Sequence, residues 1–302
     1  MPSFRAASVR VRVPATSANL GPGFDSAGLA LSLYDDVVVK VVDRGLSVDV
    51  AGEGSDKVPR TERHLVVSSL RAAFTRLGGQ PRGLEVVCAN RIPHARGLGS
   101  SSAAIVAAIV AARALVVGGE TLLDDDACLQ LANELEGHPD NVAACLRGGA
   151  TFAWESGGHA DVVRFDTHGD LAPVAFVPAT RSSTKRVRGL LPATVPYADA
   201  VFNASRAALL PHALTTDPSL LLAATEDRLH QGYRAPAMPR TAALVAELRA
   251  QGIAAVVSGA GPTVLALATL SQRALLLPVA RRGWAILPLD VEARGACVVP
   301  VA

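Results

Sequence analysis

The stretch Pro93-His94-Ala95-Arg96-Gly97-Leu98-Gly99-Ser100-Ser101-Ser102-Ala103 runs directly into Ala104-Ile105-Val106-Ala107-Ala108-Ile109-Val110-Ala111-Ala112. Two glycines mark a turn, three hydroxyls open the next element, and the small apolar residues that follow predict a buried helix over Ser101 to Val117. Upstream, Leu84 to Ala89 reads as a strand. The order strand, glycine loop, helix makes an anion site, because unpaired backbone N–H groups and the positive end of the helix dipole converge there. Glycine at 97 and 99 lets a phosphate approach closely, and a serine hydroxyl can ligate a divalent cation that also binds phosphate oxygens. Taken alone, the string also fits a serine cap on a tight turn. The lysine-bearing phosphate loop G-x-x-x-x-G-K-[ST] is absent, and G-x-G-x-x-G is not matched.

Upstream, Ser8 to Val13 and Tyr34 to Val42 have strand character. Between them Pro14-Ala15-Thr16-Ser17-Ala18-Asn19-Leu20-Gly21-Pro22-Gly23-Phe24-Asp25 is rich in turn formers and reads as a loop. Ordinary strand connections need about two to five residues, so so long a loop with polar Ser17, Asn19 and Asp25 points to a binding role. Arg63 to Arg76 has helical spacing and stops at Gly78-Gly79. Helices are expected at Asp124 to Leu135, opened by an acidic cluster that suits a helix N-terminus, and at Asp140 to Leu146. The junction Glu134-Leu135-Glu136-Gly137-His138-Pro139-Asp140-Asn141 lies between them. Glu136 there is either a magnesium carboxylate or a solvated acid near a helix end.

A strand at Ala150 to Trp154 and the turn Ser156-Gly157-Gly158-His159 lead to strands at Val162–Phe165 and Val174–Val177. Helices at Val201–Leu209, Leu220–Leu229 and Thr241–Gln251, then strands at Ala254–Ser258 and Thr263–Ala268, complete an α+β pattern. A second lobe is expected to begin near residue 158. Ser258-Gly259-Ala260-Gly261-Pro262-Thr263 is a second glycine-rich turn, able to close over a ligand or simply to join two strands.

With 302 residues, half of them hydrophobic, two lobes with sizeable cores are expected. The formal charge of +2 is built from interspersed charges, which argues against a nucleic-acid or anionic-membrane partner and for a small molecule. Cys88, Cys128, Cys145 and Cys297 lie far apart, unlike a zinc site or disulfide framework, and are expected to be reduced thiols of a cytoplasmic protein. The apolar run ends at Arg113, short of the roughly 20 residues a membrane span needs. Met1 to Val13 alternates arginine with apolar residues and does not read as a secretory signal.

Pro14–Gly23, Pro93–Ala104 and Ser258–Leu267, in this order and at these separations, resemble the three motifs of the GHMP kinases across nearly the whole chain. The resemblance implies a two-lobed α+β fold. Its N-terminal lobe, expected at 1–157, would be ribosomal-protein-S5-domain-2-like and bind the nucleotide. Its C-terminal lobe, at 158–302, would be ferredoxin-like and complete the substrate site. ATP and Mg²⁺ are the implied cofactors, and a homodimer is a possible assembly. Pro93, Arg96, Gly97, Leu98, Gly99, Ser100, Ser101, Ser102 and Ala103 would contact the nucleotide, together with His64, which stands where the family often has Asn.

Within the superfamily, P-A-T-S-A-N-L-G-P-G-F-D and E-G-H-P-D-N are similar to the branch that phosphorylates the amino acid L-homoserine, giving O-phospho-L-homoserine for threonine synthesis. By that resemblance Asn19, Asp25, His138, Asn141, Thr184, Arg188 and Arg234 would face the substrate, with Glu136, Asn141 and Arg188 as the catalytic set and Ser101 and Glu136 as metal ligands. The Glu-to-His spacer is short here. An amino acid independently calls for a carboxylate to meet its amine, which Asp25 supplies, and guanidinium to meet its carboxylate, which Arg188 and Arg234 supply. The alternatives are a mevalonate- or shikimate-type kinase, which would not need those anchors, and a non-catalytic ligand sensor, which would not need an intact phosphate loop and Glu136.

Overall fold

The computed structural model describes residues 2–182, 184–278 and 281–301, with only the backbone described at Thr184 and Lys185. Its strands are β1 (Val9–Ala18), β2 (Ala27–Val42), β3 (Gly45–Gly52), β4 (Gly83–Asn90), β5 (Ala150–Ser156), β6 (His159–Phe165), β7 (Val174–Pro178), β8 (Ala255–Val257), β9 (Val264–Ala266), β10 (Trp284–Pro288) and β11 (Cys297–Val299). Its helices are α1 (Leu65–Arg76), α2 (Ser100–Leu115), α3 (Gly119–Leu122), α4 (Asp125–Glu136), α5 (Pro139–Arg147), α6 (Thr184–Arg188), α7 (Tyr197–Thr215), α8 (Leu221–Ala224), α9 (Gln231–Arg234), α10 (Pro239–Ala250) and α11 (Leu270–Leu276).

The first sheet runs β11-β1-β2-β4-β3, with β5 pairing both β2 and β6. In β1 the alternation puts Val9, Val11 and Val13 in the core, while Arg10 and Arg12 emerge to pair with Asp36 of β2 at 3.1 Å each. Helix α2 is small and apolar on nearly every face, so it sits as a central rod against β1, α1, α4 and α5. The second sheet runs β10-β7-β9-β8, all antiparallel, which is the fourth, first, third and second strand of that lobe. With α10 against β8 and β9, this is the expected ferredoxin-like layer. Val174, Phe176, Leu244, Leu248, Val264 and Ala266 form its core.

Apart from the short elements α3, α6, α9, α11, β10 and β11, which carry no sequence expectation, the structure departs from the sequence expectations in four places. Strand β1 continues through Pro14 to Ala18, deep into the expected loop, with a register shift between Pro14 and Ala15 that accommodates the proline. Strand β3, whose Leu46, Val48 and Val50 alternate inward, was not anticipated and pairs in parallel with β4. The expected helix Leu220–Leu229 shrinks to α8, because the Asp227 carboxylate accepts N–H bonds from Leu229, His230 and Gln231 and turns the chain. The boundary expected at residues 157 and 158 cuts the β5–β6 hairpin, where Ser156 pairs with His159. Both strands lie in the first sheet, as does β11 from the C-terminal end. Among the described residues no helix is long and apolar enough to cross a membrane. Cys88, Cys128 and Cys145 are buried free thiols, and Cys297 is half-buried.

Candidate active site

The three sequence motifs clasp one another through backbone. Thr16 N–H donates to the Leu98 carbonyl at 3.1 Å, Gly259 N–H to Ala18 at 3.1 Å, and Thr263 N–H to Arg96 at 3.2 Å. Ser258 Oγ donates to the Gly97 carbonyl at 2.5 Å and lies 2.8 Å from Ser17 Oγ. This closeness explains the glycines: a Cβ at Gly97 would strike the Ser258 carbonyl, one at Gly99 would strike Thr16 Oγ1, and both residues have positive φ. Asp35, whose carboxyl burial pushes up to about 6, accepts N–H bonds from Arg91 at 2.6 Å and Ile92 at 2.9 Å and so fixes the approach to the loop. Among the described residues the non-glycines with positive φ are Asn19, Leu20, Asp25 and Ala95, all in these two loops. Strain of roughly 1–3 kcal/mol per residue is typical where a site over-determines its backbone.

Two cavities of about 280 Å³ each meet at Ser100 and Ser101, at the start of α2. One is polar and lined by Asn19, Asp25, Ala95, Gly97, Gly99, Ser100, Ser101, Glu136, His138, Asp140, Asn141, Arg188, Arg234, Gly259 and Ala260. The other is largely apolar, walled by Val58, Pro59, His64, Leu65, Val66, Ala103 and Ala104 among others. The buried Nδ1 of His64 has no partner among the described residues, and burial, with His94 and Arg60 nearby, lowers the pKa of the ring. No side chain caps α2, whose preceding Gly99 is left-handed.

Glu136 closes α4, and left-handed Gly137 turns the chain into α5, where Pro139 occupies the first turn. Ser101 Oγ and Ser102 Oγ both donate to Glu136 Oε1, at 2.6 and 2.9 Å. A carboxylate and two hydroxyls thus converge beside the N-terminus of α2. Asp140 is buried, and its Oδ1 accepts from the backbone and side-chain N–H of Asn141 and lies 2.9 Å from His138 Nδ1. That carboxylate raises the His138 pKa. Asn141 Oδ1 in turn accepts from Thr16 Oγ1 at 2.7 Å.

On the opposite wall Arg188 grips Asp25 through two bonds of 2.7 and 2.8 Å. The two groups assigned to opposite ends of an amino acid are therefore paired with each other. Arg234 is nearly fully buried, and burial first, then the neighbouring Arg188 charge, lowers its pKa. Among the described residues it has no carboxylate partner, and its Nε has no hydrogen-bond partner. Asn19 is anchored at both ends of its amide, Oδ1 accepting the Asp25 N–H at 3.0 Å and Nδ2 donating one N–H to the Gly259 carbonyl at 3.0 Å, which leaves a second N–H and a second lone pair on the cavity wall. It shapes the pocket from the wall.

The structure brings Asn19, Asp25, Glu136, His138, Asn141, Arg188, Arg234, Gly97, Gly99, Ser100 and Ser101 to one cavity, and His64 and Ala103 to its neighbour. Leu98 points into the core, and Ser102 is buried behind Ser101. Arg96 faces away, donating to the Pro178 and Ala179 carbonyls, and Pro93 lines a separate outer depression. These two hold the loop against the second lobe. The Thr184 side chain lies outside what is described, although its α6 carries Arg188 into the site. Sequence reasoning missed Ala95, Gly259 and Ala260 as lining residues, although all sit inside motifs it had singled out, and it gave Asp140 only a supporting polar part.

A two-lobed fold with a glycine–serine loop at a helix N-terminus, clasped by two flanking motifs, defines a small-molecule kinase of the GHMP class. The family models for the GHMP kinases N-terminal domain and the GHMP kinases C-terminal region match residues 64–149 and 209–283. Homoserine kinases of Streptomyces avermitilis and Streptomyces coelicolor are 64% and 63% identical to this chain, each covering 100% of it and 99% and 97% of those proteins. The crystal structure of homoserine kinase from Cytophaga hutchinsonii superposes with a TM-score of 0.82 at 26% identity, over 99% of each chain. The chain belongs to the GHMP kinases, and within them to the homoserine kinase family.

Proposed function

We propose that this protein transfers the γ-phosphoryl group of ATP to the side-chain hydroxyl of L-homoserine, giving O-phospho-L-homoserine and ADP. The observation that carries this reading is the pair of cavities meeting at Ser100 and Ser101. The apolar one suits a purine base, with the orphaned His64 Nδ1 as its polar contact. The polar one holds a carboxylate and an unneutralised guanidinium, matched to an amine and a carboxylate. The shared edge is the N-terminus of α2, where a triphosphate would pass from one to the other.

Phosphoryl transfer needs positioning and charge neutralisation more than covalent chemistry from the protein. Asp25 takes the substrate ammonium and Arg234 its carboxylate, while Arg188 shifts from Asp25 toward the anionic groups. Asn141 and His138, held by Asp140, face the acceptor hydroxyl. The oxygens of Ser101 and Glu136 fit Mg²⁺, which favours a few carboxylate and hydroxyl ligands plus phosphate and water. When bound there, Mg²⁺ would neutralise charge developing on the transferred phosphate. Among the described residues no cluster of three acidic or imidazole groups competes as a metal site.

The test is a coupled ADP-release assay with homoserine, mevalonate, galactose and shikimate as acceptors. Turnover with homoserine alone is expected. Turnover with another acceptor and none with homoserine would overturn the substrate and leave the fold untouched.

A further inference from the structure

Arg234 sits on α9, held by a set of hydrogen bonds and ring contacts behind the site it faces. Its Nη1 lies 3.3 Å from His230 Nδ1 and donates to the Gly259 carbonyl at 3.3 Å. The His230 ring is fully buried, with Nε2 2.8 Å from the Gly21 carbonyl. A carbonyl can only accept, so Nε2 carries the proton, and in a neutral ring Nδ1 is then the acceptor that meets Arg234. Asp227 lies 3.7 Å from Nε2, but its carboxylate is taken up by three backbone N–H groups. The Phe24 ring stacks on His230 at 5.1 Å between centroids and lies under both guanidinia, 5.4 Å from Arg188 and 5.2 Å from Arg234.

We infer that His230 and Phe24 are positioning residues that hold Arg234 as a preformed receptor for the substrate's carboxylate, His230 by accepting from its guanidinium and Phe24 by bearing its face. Burial, reinforced by the Arg234 cation, keeps the His230 pKa low, in agreement with the neutral ring that the geometry requires. Through Nε2 and Gly21 the first loop is tied to the start of α9. The guanidinium edge left free is the one whose Nε lacks a partner. A buried cation without a counter-ion is costly, so this geometry is kept for an anion that arrives with the substrate.

The inference rests on Arg234 meeting a carboxylate, and the experiment separates the two claims. L-homoserine and L-homoserine amide, which differ only in carboxylate against carboxamide, are compared in wild type, His230→Leu and Phe24→Leu, with KM for ATP as a control. Wild type is expected to prefer homoserine by at least about 30-fold in kcat/KM, the scale of a hydrogen bond to a charged group. His230→Leu should lose about tenfold of that preference through KM for homoserine, with KM for ATP within twofold. Phe24→Leu, at a partly exposed ring, should lose a few-fold and remains informative if His230→Leu fails to fold. Absence of any preference in wild type would overturn the carboxylate receptor itself. A preference retained in both variants, or equal losses on the two substrates, would overturn the positioning role and spare the receptor.

Discussion

The two cavities are built in opposite ways. The apolar one is walled mainly by two neighbouring pieces of the first lobe, the start of α1 with the loop before it and the start of α2. The polar one draws on residues from Asn19 to Ala260, contributed by both lobes, and two of its charged groups, Asp25 and Arg188, are paired with each other. A nucleotide pocket can be made by a helix N-terminus and a patch of apolar wall, because phosphate is recognised by backbone and a purine largely by burial. An amino acid is small and doubly charged, so its pocket has to place opposite charges a few ångströms apart on elements that only tertiary packing unites.

That contrast can be broken at three points, in falling order of effect. Glu136 lines the polar cavity and accepts from Ser101 at the edge the two cavities share, so Glu136→Gln should lower kcat about a hundredfold, roughly 2.7 kcal/mol of transition-state stabilisation, whichever acceptor is used. Steady-state kinetics showing a change confined to KM for homoserine would move Glu136 out of the phosphate-transfer edge.

Asp25→Asn should act on one cavity only. The expected result is KM for homoserine raised about 30-fold, near 2 kcal/mol, with ATP affinity within twofold by equilibrium binding. Collapse of ATP binding would erase the proposed division of labour between the cavities.

The smallest effect is expected in the apolar cavity, where His64→Ala should raise KM for ATP about fivefold, close to 1 kcal/mol, and leave KM for homoserine unchanged. An unchanged KM for ATP would show that the orphaned Nδ1 does not meet the base.

The strand, glycine loop and helix around Gly97–Ser102 were legible because each rests on local rules: a short apolar run, glycines that admit a tight turn, and hydroxyls opening a long run of small apolar residues. Helices α4 and α5 were legible to within a residue or two for the same reason, with Asp124 capping one and Gly148 ending the other. The continuation of β1 through Pro14 was hidden, since the shift that tolerates a strand proline lies in the pairing with β2. The loss of the helix beyond Ala224 was hidden too, because Asp227 diverts three backbone N–H groups that a helical period would claim.

The sequence by itself determined that a glycine–serine loop opens α2, that two further motifs accompany it, and which charged residues an amino acid would require, because these follow from residue type and short-range spacing. Only the tertiary structure decided that Arg188 is held by Asp25 while Arg234 stands unneutralised, that the amide of Asn19 is anchored to Asp25 and Gly259, and that Arg96 turns away. Those outcomes depend on contacts between residues 163 positions apart for Asp25 and Arg188 and 240 apart for Asn19 and Gly259. No periodicity carries such a distance; it is settled when buried charges and hydrogen-bonding groups compete for the partners that packing brings within reach.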